Sequence, residues 1–312
     1  MIFLPSTCHS ITFILLYMMT NNPATPSSKF KADIYLLLLT IIWGASFVAV
    51  KAALDFSSPF LFLTMRFFLA TAILFVLFRQ KIREIDPTTL KAGLFVGLLL
   101  GIGIGSQTLG LVYTSASKSA FITGTFVILV PIFSIVFEKI IPRKLLWVGV
   151  AFAVTGLYLL TSPEEGEFNI GDKFTALGAV AFGAHTVAIQ IYSKRYDFIQ
   201  LTFLQVIVTG FIGLFSTLLF ETPRFEANFT LISIIAGTAI FPTVFCFYIM
   251  TKYQRYTSST RAAIIYSFEP VAGALFAYLI LGEILGIRGL FGAILIFFGM
   301  LLSKLKKRKM VN

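Results

Sequence analysis

From residue 34 to residue 302 the sequence is a succession of apolar runs separated by short polar joints, and no other feature restricts the fold as tightly. The runs fall near 34–50, 59–78, 92–112, 119–137, 145–160, 176–192, 199–220, 231–250, 262–281 and 287–302. Each approaches the ~20 residues that a helix needs to cross the hydrocarbon core of a bilayer. Residues such as 211–220 are unbroken, whereas a transmembrane barrel strand alternates apolar and polar positions. The chain is 57% hydrophobic and only 12% charged, against about 25% charged in an ordinary soluble domain, so lipid is its solvent.

Sidedness follows from the cations. With ten crossings, nineteen of the 25 Lys and Arg gather on one side, from Lys29 and Lys31 through Arg79, Lys139, Lys194, Lys252 and Arg261 to the tail Lys304–Lys309. Five lie on the other side (Lys51, Lys118, Lys173, Arg224 and Arg288), and Arg66 falls inside a run. The positive-inside rule then places both termini in the cytoplasm. The net charge of +11 is accounted for by helix-end cations and by a basic tail suited to anionic headgroups, and no nucleic-acid partner is expected.

The two halves of the chain resemble each other. Tyr113-Thr-Ser-Ala-Ser-Lys-Ser-Ala120 aligns with Tyr256-Thr-Ser-Ser-Thr-Arg-Ala-Ala263 at an offset of 143, and Phe133, Gly149, Gly156 and Leu159 align with Phe276, Gly292, Gly299 and Leu302. Nearer the start, Trp43-Gly-Ala-Ser-Phe-Val-Ala-Val-Lys51 aligns with Phe182-Gly-Ala-His-Thr-Val-Ala-Ile-Gln190 at an offset of 139. Five helices per copy is an odd number, so the second copy enters the membrane from the opposite face. The expected fold is therefore an all-α polytopic membrane protein of ten transmembrane helices, a 5+5 inverted repeat with both termini cytoplasmic. Inverted repeats of this kind build carriers whose substrate site lies near the midplane. The expected divisions are an N-terminal tail (1–32), a first repeat (33–162), a second repeat (173–303) and a basic tail (304–312). The short apolar stretch 11–19 is too short to span, and translation is expected to start at Met18 or Met19.

Trp43-Gly-Ala-Ser-Phe, Arg66-Phe-Phe-Leu-Ala, Thr114-Ser-Ala-Ser-Lys-Ser-Ala-Phe, Pro131, Glu269-Pro-Val and the closing Leu281-Gly-Glu283 together resemble the drug/metabolite transporter superfamily, specifically its EamA-type ten-helix branch. The resemblance runs from about residue 34 to 302. It implies a secondary transporter of the cell inner membrane for a small metabolite, amino acid or drug-like solute, with export the favoured direction. An uptake carrier or exchanger for an amino acid or nucleotide-derived metabolite is the alternative. No cofactor is implied; a proton is the candidate coupling ion, and a homodimer is left open.

Ionisable groups at membrane depth are costly and point to function or to structural pairing. Arg66, His185 and Glu269 are the three inside runs. Glu269 precedes Pro270, which removes a backbone donor and opens polar backbone toward a cavity. Arg66 could clamp a carboxylate through its planar donor fork, or neutralise Glu269, the pairing favoured here. Gln205 occupies the equivalent position in the second repeat, as His185 does to Ser46. Histidine suits proton coupling, although a packing role is commoner. Gln107 and Trp43 complete the candidate site of Trp43, Ser46, Arg66, Gln107, His185, Gln205 and Glu269. Gly93, Gly97, Gly101 and Gly105 line one side of a helix and predict a close helix contact. With Cys8, Cys246, His9 and His185 as the only cysteines and histidines, neither a metal centre nor a hydrolytic triad has enough parts. An intramembrane enzyme lacks a nucleophile with a base, and a channel lacks a ring of like groups.

Overall fold

The computed structural model describes residues 28–114, 116–161, 168–281 and 286–305. Cys8, His9, Met18, Met19, Glu283, the tail 306–312 and the side chain of Lys118 lie outside the described residues. Within them the chain is helical, with one isolated bridge between Ser57 and Phe225 and no strand. The first half contains α1 (Ser28–Leu54), α2 (Pro59–Arg83), α3 (Pro87–Tyr113), α4 (Ala116–Gly124), α5 (Phe126–Phe133) and α6 (Lys144–Thr161). The second contains α7 (Ile170–Tyr192), α8 (Phe198–Phe220), α9 (Phe229–Thr238), α10 (Cys246–Tyr253), α11 (Ser259–Tyr266), α12 (Glu269–Leu281) and α13 (Ile287–Lys304). A π-helical turn, Ser134–Glu138, continues α5, and another, Ala239–Phe245, joins α9 to α10.

Seven helical stretches among the described residues are long and apolar enough to cross a membrane. They are Pro59–Arg83, Pro87–Tyr113, Ser119–Glu138, Lys144–Thr161, Ile170–Tyr192, Phe198–Phe220 and Phe229–Tyr256. Ile287–Ser303 is apolar but shorter. The run expected at 262–281 is broken between α11 and α12, where Pro270 has no N–H to give the Tyr266 carbonyl and the Ser267 hydroxyl donates to the Ile264 carbonyl at 2.7 Å. A break also stands at Thr125, whose hydroxyl donates to the Ile122 carbonyl at 2.5 Å.

Polar residues start the helices. Asp86 caps α3, accepting from the N–H groups and hydroxyls of Thr88 and Thr89. Those bonds hold its carboxyl below the usual carboxylate range, so this cap is intact above that range and is lost as the pH falls. Asn169 and Asp172 form a capping box on α7, and Asp197 caps α8. Ser58 makes no side-chain cap on α2; instead Glu221, at the far end of α8, accepts from the Phe60 and Leu61 N–H groups at 2.8 and 3.2 Å.

Glycine sets how the helices meet. Gly149 and Gly156 on α6 face the backbone of Gly299 and Gly292 on α13, and the pairing is reciprocal. The numbers rise on one helix as they fall on the other, so these repeat-equivalent helices run antiparallel. The α2–α8 pair is antiparallel too: Thr64 meets Thr217, Phe68 meets Phe211 and Phe75 meets Phe203. The glycine stripe of α3 forms the close contact expected of it. Gly93, Gly97 and Gly101 receive Leu204, Val208 and Ile212 of a parallel α8, while Gly105 has only distant neighbours. Gly103 and Gly110 seat α7 on another side of α3.

A Cβ on Gly156 would lie 2.5 Å from the Gly292 carbonyl oxygen, whereas one on Gly237 would meet nothing within 4 Å. Gly156→Val should cost about 1–3 kcal/mol through forced separation of α6 and α13. Gly237→Ala should be neutral or stabilise by up to ~1 kcal/mol through helix propensity. Thermal unfolding of the two variants in one detergent tests the contrast, and equal midpoints would refute it.

Candidate functional site

Pro242 interrupts the hydrogen-bond ladder between α9 and α10. Lacking an N–H, it leaves the Thr238 carbonyl without its usual donor, and the backbone widens into a π turn. The Thr243 hydroxyl fills the vacancy, donating to the Thr238 carbonyl at 2.8 Å. Two side chains from the first half converge on the same turn. The Trp43 indole Nε1 donates to the Pro242 carbonyl at 2.9 Å, and Arg66 Nε donates to Thr243 Oγ1 at 2.8 Å. A kink that would otherwise expose backbone to lipid thus becomes a polar junction between α1, α2 and α9–α10.

Glu269 opens α12 beside this junction. Its backbone carbonyl lies 2.7 Å from where a Gly44 Cβ would stand, so the glycine next to Trp43 is what lets α1 reach the start of α12. Trp43 packs against Phe247 and Tyr266 with ring centroids 5.6 and 5.9 Å apart. Arg66 reaches the same turn that holds Trp43, and Glu269 lies against Gly44 next to Trp43, which places them in one neighbourhood. The expected ion pair between them is absent. Arg66 gives Nε to Thr243 and lies over the Phe67 ring at 5.4 Å. Its Nη donors and the Glu269 carboxylate have no protein hydrogen-bond partner among the described residues, and both side chains are partly accessible. Opposite charges left open beside a Trp and a Tyr can bind a solute carrying complementary groups.

Of the other expected residues, Ser46 stays beside Trp43 on α1 and the rest lie elsewhere. His185 Nε2 and Gln205 Oε1 are 2.9 Å apart, and Gln205 Nε2 donates to Thr251 Oγ1 at 2.9 Å. Both His185 and Gln205 are buried, closed into a chain that links α7, α8 and α10. Gln107 donates from Nε2 to Thr123 Oγ1 at 3.0 Å, between α3 and α4. The Ser46 hydroxyl donates back to the Trp43 carbonyl at 2.8 Å. The structure therefore joins Trp43, Arg66 and Glu269 at one place and His185 with Gln205 at another.

Pro242, Thr243 and Tyr266 were not anticipated. Pro242 carried a readable signal, since a proline inside an apolar run frees a carbonyl just as Pro270 does. Thr243 and Tyr266 carried none, because their importance lies in what reaches them from other helices.

The sequence profile of the EamA-like transporter family matches residues 30–162 and, separately, 169–305. The chain belongs to the EamA-like transporter family. This transporter is 37% identical over 275 residues to a protein of Archaeoglobus fulgidus called an uncharacterized transporter, covering 88% of this chain and 86% of that one. It is 24% identical over 283 residues to the transporter YoaV of Bacillus subtilis, covering 88% and 96%. Over 133 residues, 41% of this chain and 42% of the other, it is 32% identical to the inner membrane transporter YedA of Escherichia coli. A protein of known crystal structure superimposes with a TM-score of 0.74 at 14% identity, covering 88% of this chain and 96% of that one, a likeness of fold alone. With its apolar helices, this membership makes the EamA-like transporter a multi-pass protein of the cell membrane.

Gln205→Leu should cost the transporter about 1–3 kcal/mol, because it strands the buried His185 Nε2 and removes the bond that Thr251 accepts. Gln107→Leu should cost less, since Gln107 is half-exposed and water can replace it. Melting midpoints of the two purified variants compare the sites directly; a larger drop for Gln107→Leu would contradict the account.

Proposed function

We propose that this EamA-like transporter is a secondary carrier that moves a small amphipathic metabolite by alternating access, running as an exporter. The open, opposite charges of Arg66 and Glu269 beside Trp43 and Tyr266 are the observation that carries the reading. Arg66 orients an anionic group through its free Nη donors, Glu269 takes a cationic or donor group, and Trp43 covers the apolar part. Ten spans with both termini cytoplasmic are part of the proposal. The charge distribution supports the orientation, and the two family matches and antiparallel α6–α13 and α2–α8 pairs support an inverted repeat.

We assign proton exchange to Glu269. Its carboxylate is open, whereas His185 is sealed by Gln205.

Reconstituted in liposomes, the protein should show saturable, exchangeable flux of a solute that untargeted profiling finds enriched in the medium of producing cells. Glu269→Gln should lower that flux about tenfold or more and abolish its response to an imposed pH gradient. Arg66→Lys should raise the half-saturating concentration by about tenfold, in line with the loss of one charge-assisted hydrogen bond. His185→Gln should leave the pH response in place. Accumulation of the solute inside the cells would overturn the exporter direction, and undiminished flux in Glu269→Gln would overturn the site.

A further inference from the structure

The repeat halves are equivalent in sequence but not in burial. Residues 246–254 and 262–266 of the second half are buried throughout, while their repeat mates, 103–111 and 119–123, are mostly half-exposed. His185 and Gln205 are 2% and 0% exposed, yet their mates Ser46 and Arg66 remain partly accessible. A two-fold structure closed equally at both ends would treat mates alike.

Packing shows where the asymmetry arises. One group of helices comprises α1 and α9 to α12, tied together by Trp43, Gly44 and the Pro242 turn. Another comprises α3, α4, α5 and α7, joined through Gly103, Gly110 and Gly183. The two groups meet through α11 and the turn Gln254–Tyr256, which pack on α5 and α7. The mate of α11 is α4. It packs on α7 and α6 and, among the described residues, makes no comparable contact with α1 or α12, as two-fold symmetry would require.

The polar contacts between the groups fall at that same end. Gln190 Nε2 donates to the Thr257 carbonyl at 2.9 Å, Gln254 Nε2 to the Thr186 carbonyl at 2.6 Å, and the Ser259 hydroxyl to Glu138 Oε2. Glu138 Oε2 also accepts from Ser134 at 2.7 Å, and Tyr266 donates to Gln254 Oε1 at 2.9 Å, so both gate residues are themselves held in place. The mates of Gln254 and Ser259 are Leu111 and Ala116, which cannot form such bonds. Among the described residues, the side-chain bonds at the opposite end, Thr114 Oγ1 to Asp172 Oδ1 and Arg224 to the Leu54 and Asp55 carbonyls, do not join the two groups.

Resting on the carrier reading above, we infer that the structure is the outward-open state, held by a cytoplasmic gate of Glu138, Gln190, Gln254 and Ser259. Alternating access breaks these three bonds and closes α4 against α1 and α12. Because these bonds form only in this arrangement, the outward-open state is the resting one without substrate.

Accessibility measurements test this without any substrate. In a background with Cys8 and Cys246 replaced by serine, Ser46→Cys should react with a membrane-impermeant maleimide added from outside the cell and not from the cytoplasmic side of inverted vesicles. Adding Gln190→Ala with Glu138→Gln should slow external labelling several-fold by shifting the population to the inward-open state. Ser259→Ala alone, which removes one hydroxyl and leaves packing intact, should slow it to a lesser degree. External labelling unchanged in the double variant and in Ser259→Ala would overturn the gate, as would labelling of Ser46→Cys from the cytoplasmic side only. Normal gating without solute flux would sink the carrier reading and leave the gate standing; saturable flux with unchanged labelling would do the reverse.

Discussion

Close backbone approach at glycine is the constraint on which the rest of this structure depends. Lipid tails are as apolar as leucine, so helices gain little from burying apolar faces against one another and associate instead through van der Waals fit. Gly149 and Gly156 against Gly299 and Gly292 bring backbones to distances that a Cβ would forbid, and Gly93, Gly97 and Gly101 leave the room that Leu204, Val208 and Ile212 of α8 fill. These contacts fix α6 to α13 and α3 to α8, and Gly44 holds α1 to the first turn of α12. The polar groups of the proposed site are carried on helices positioned this way.

Within that frame, one proline creates the chemistry. A helix in hydrocarbon must satisfy its own backbone, and Pro242 leaves a carbonyl that Thr243 recovers. The turn then presents Thr243 Oγ1 to Arg66 and the Pro242 carbonyl to Trp43, so it anchors two first-half residues on a second-half helix. Holding Arg66 by Nε alone leaves the outer edge of its guanidinium free. Glu269 lies nearby without neutralising it, an arrangement that a structural ion pair would not show.

The repeat supplies two similar halves, but their sequences diverge at the proposed gate. Gln254 and Ser259 form bonds across the groups, while Leu111 and Ala116 in the mate positions cannot. His185 and Gln205 are likewise drawn into a closed chain in one half, while Ser46 and Arg66 stay accessible in the other. Small polar differences between mates are enough to bias one of two otherwise equivalent packings.

The helical membrane class, the kinship of the halves and the family were legible in the sequence, because apolar run length, matching segments and short motifs are local properties. The α3 glycine stripe and the placing of Arg66 and Glu269 inside apolar runs were legible for the same reason: spacing and membrane depth follow from position along a helix. Tertiary structure decided what those residues touch. Arg66 meets Thr243 instead of Glu269, His185 is shut in by Gln205, and Thr257 is clamped from α7, because each partner is brought from a distant helix whose rotation is set by packing. A span that is apolar on nearly every side gives no sign of which face turns inward. That choice is made only when the glycines of one helix meet the backbone of another.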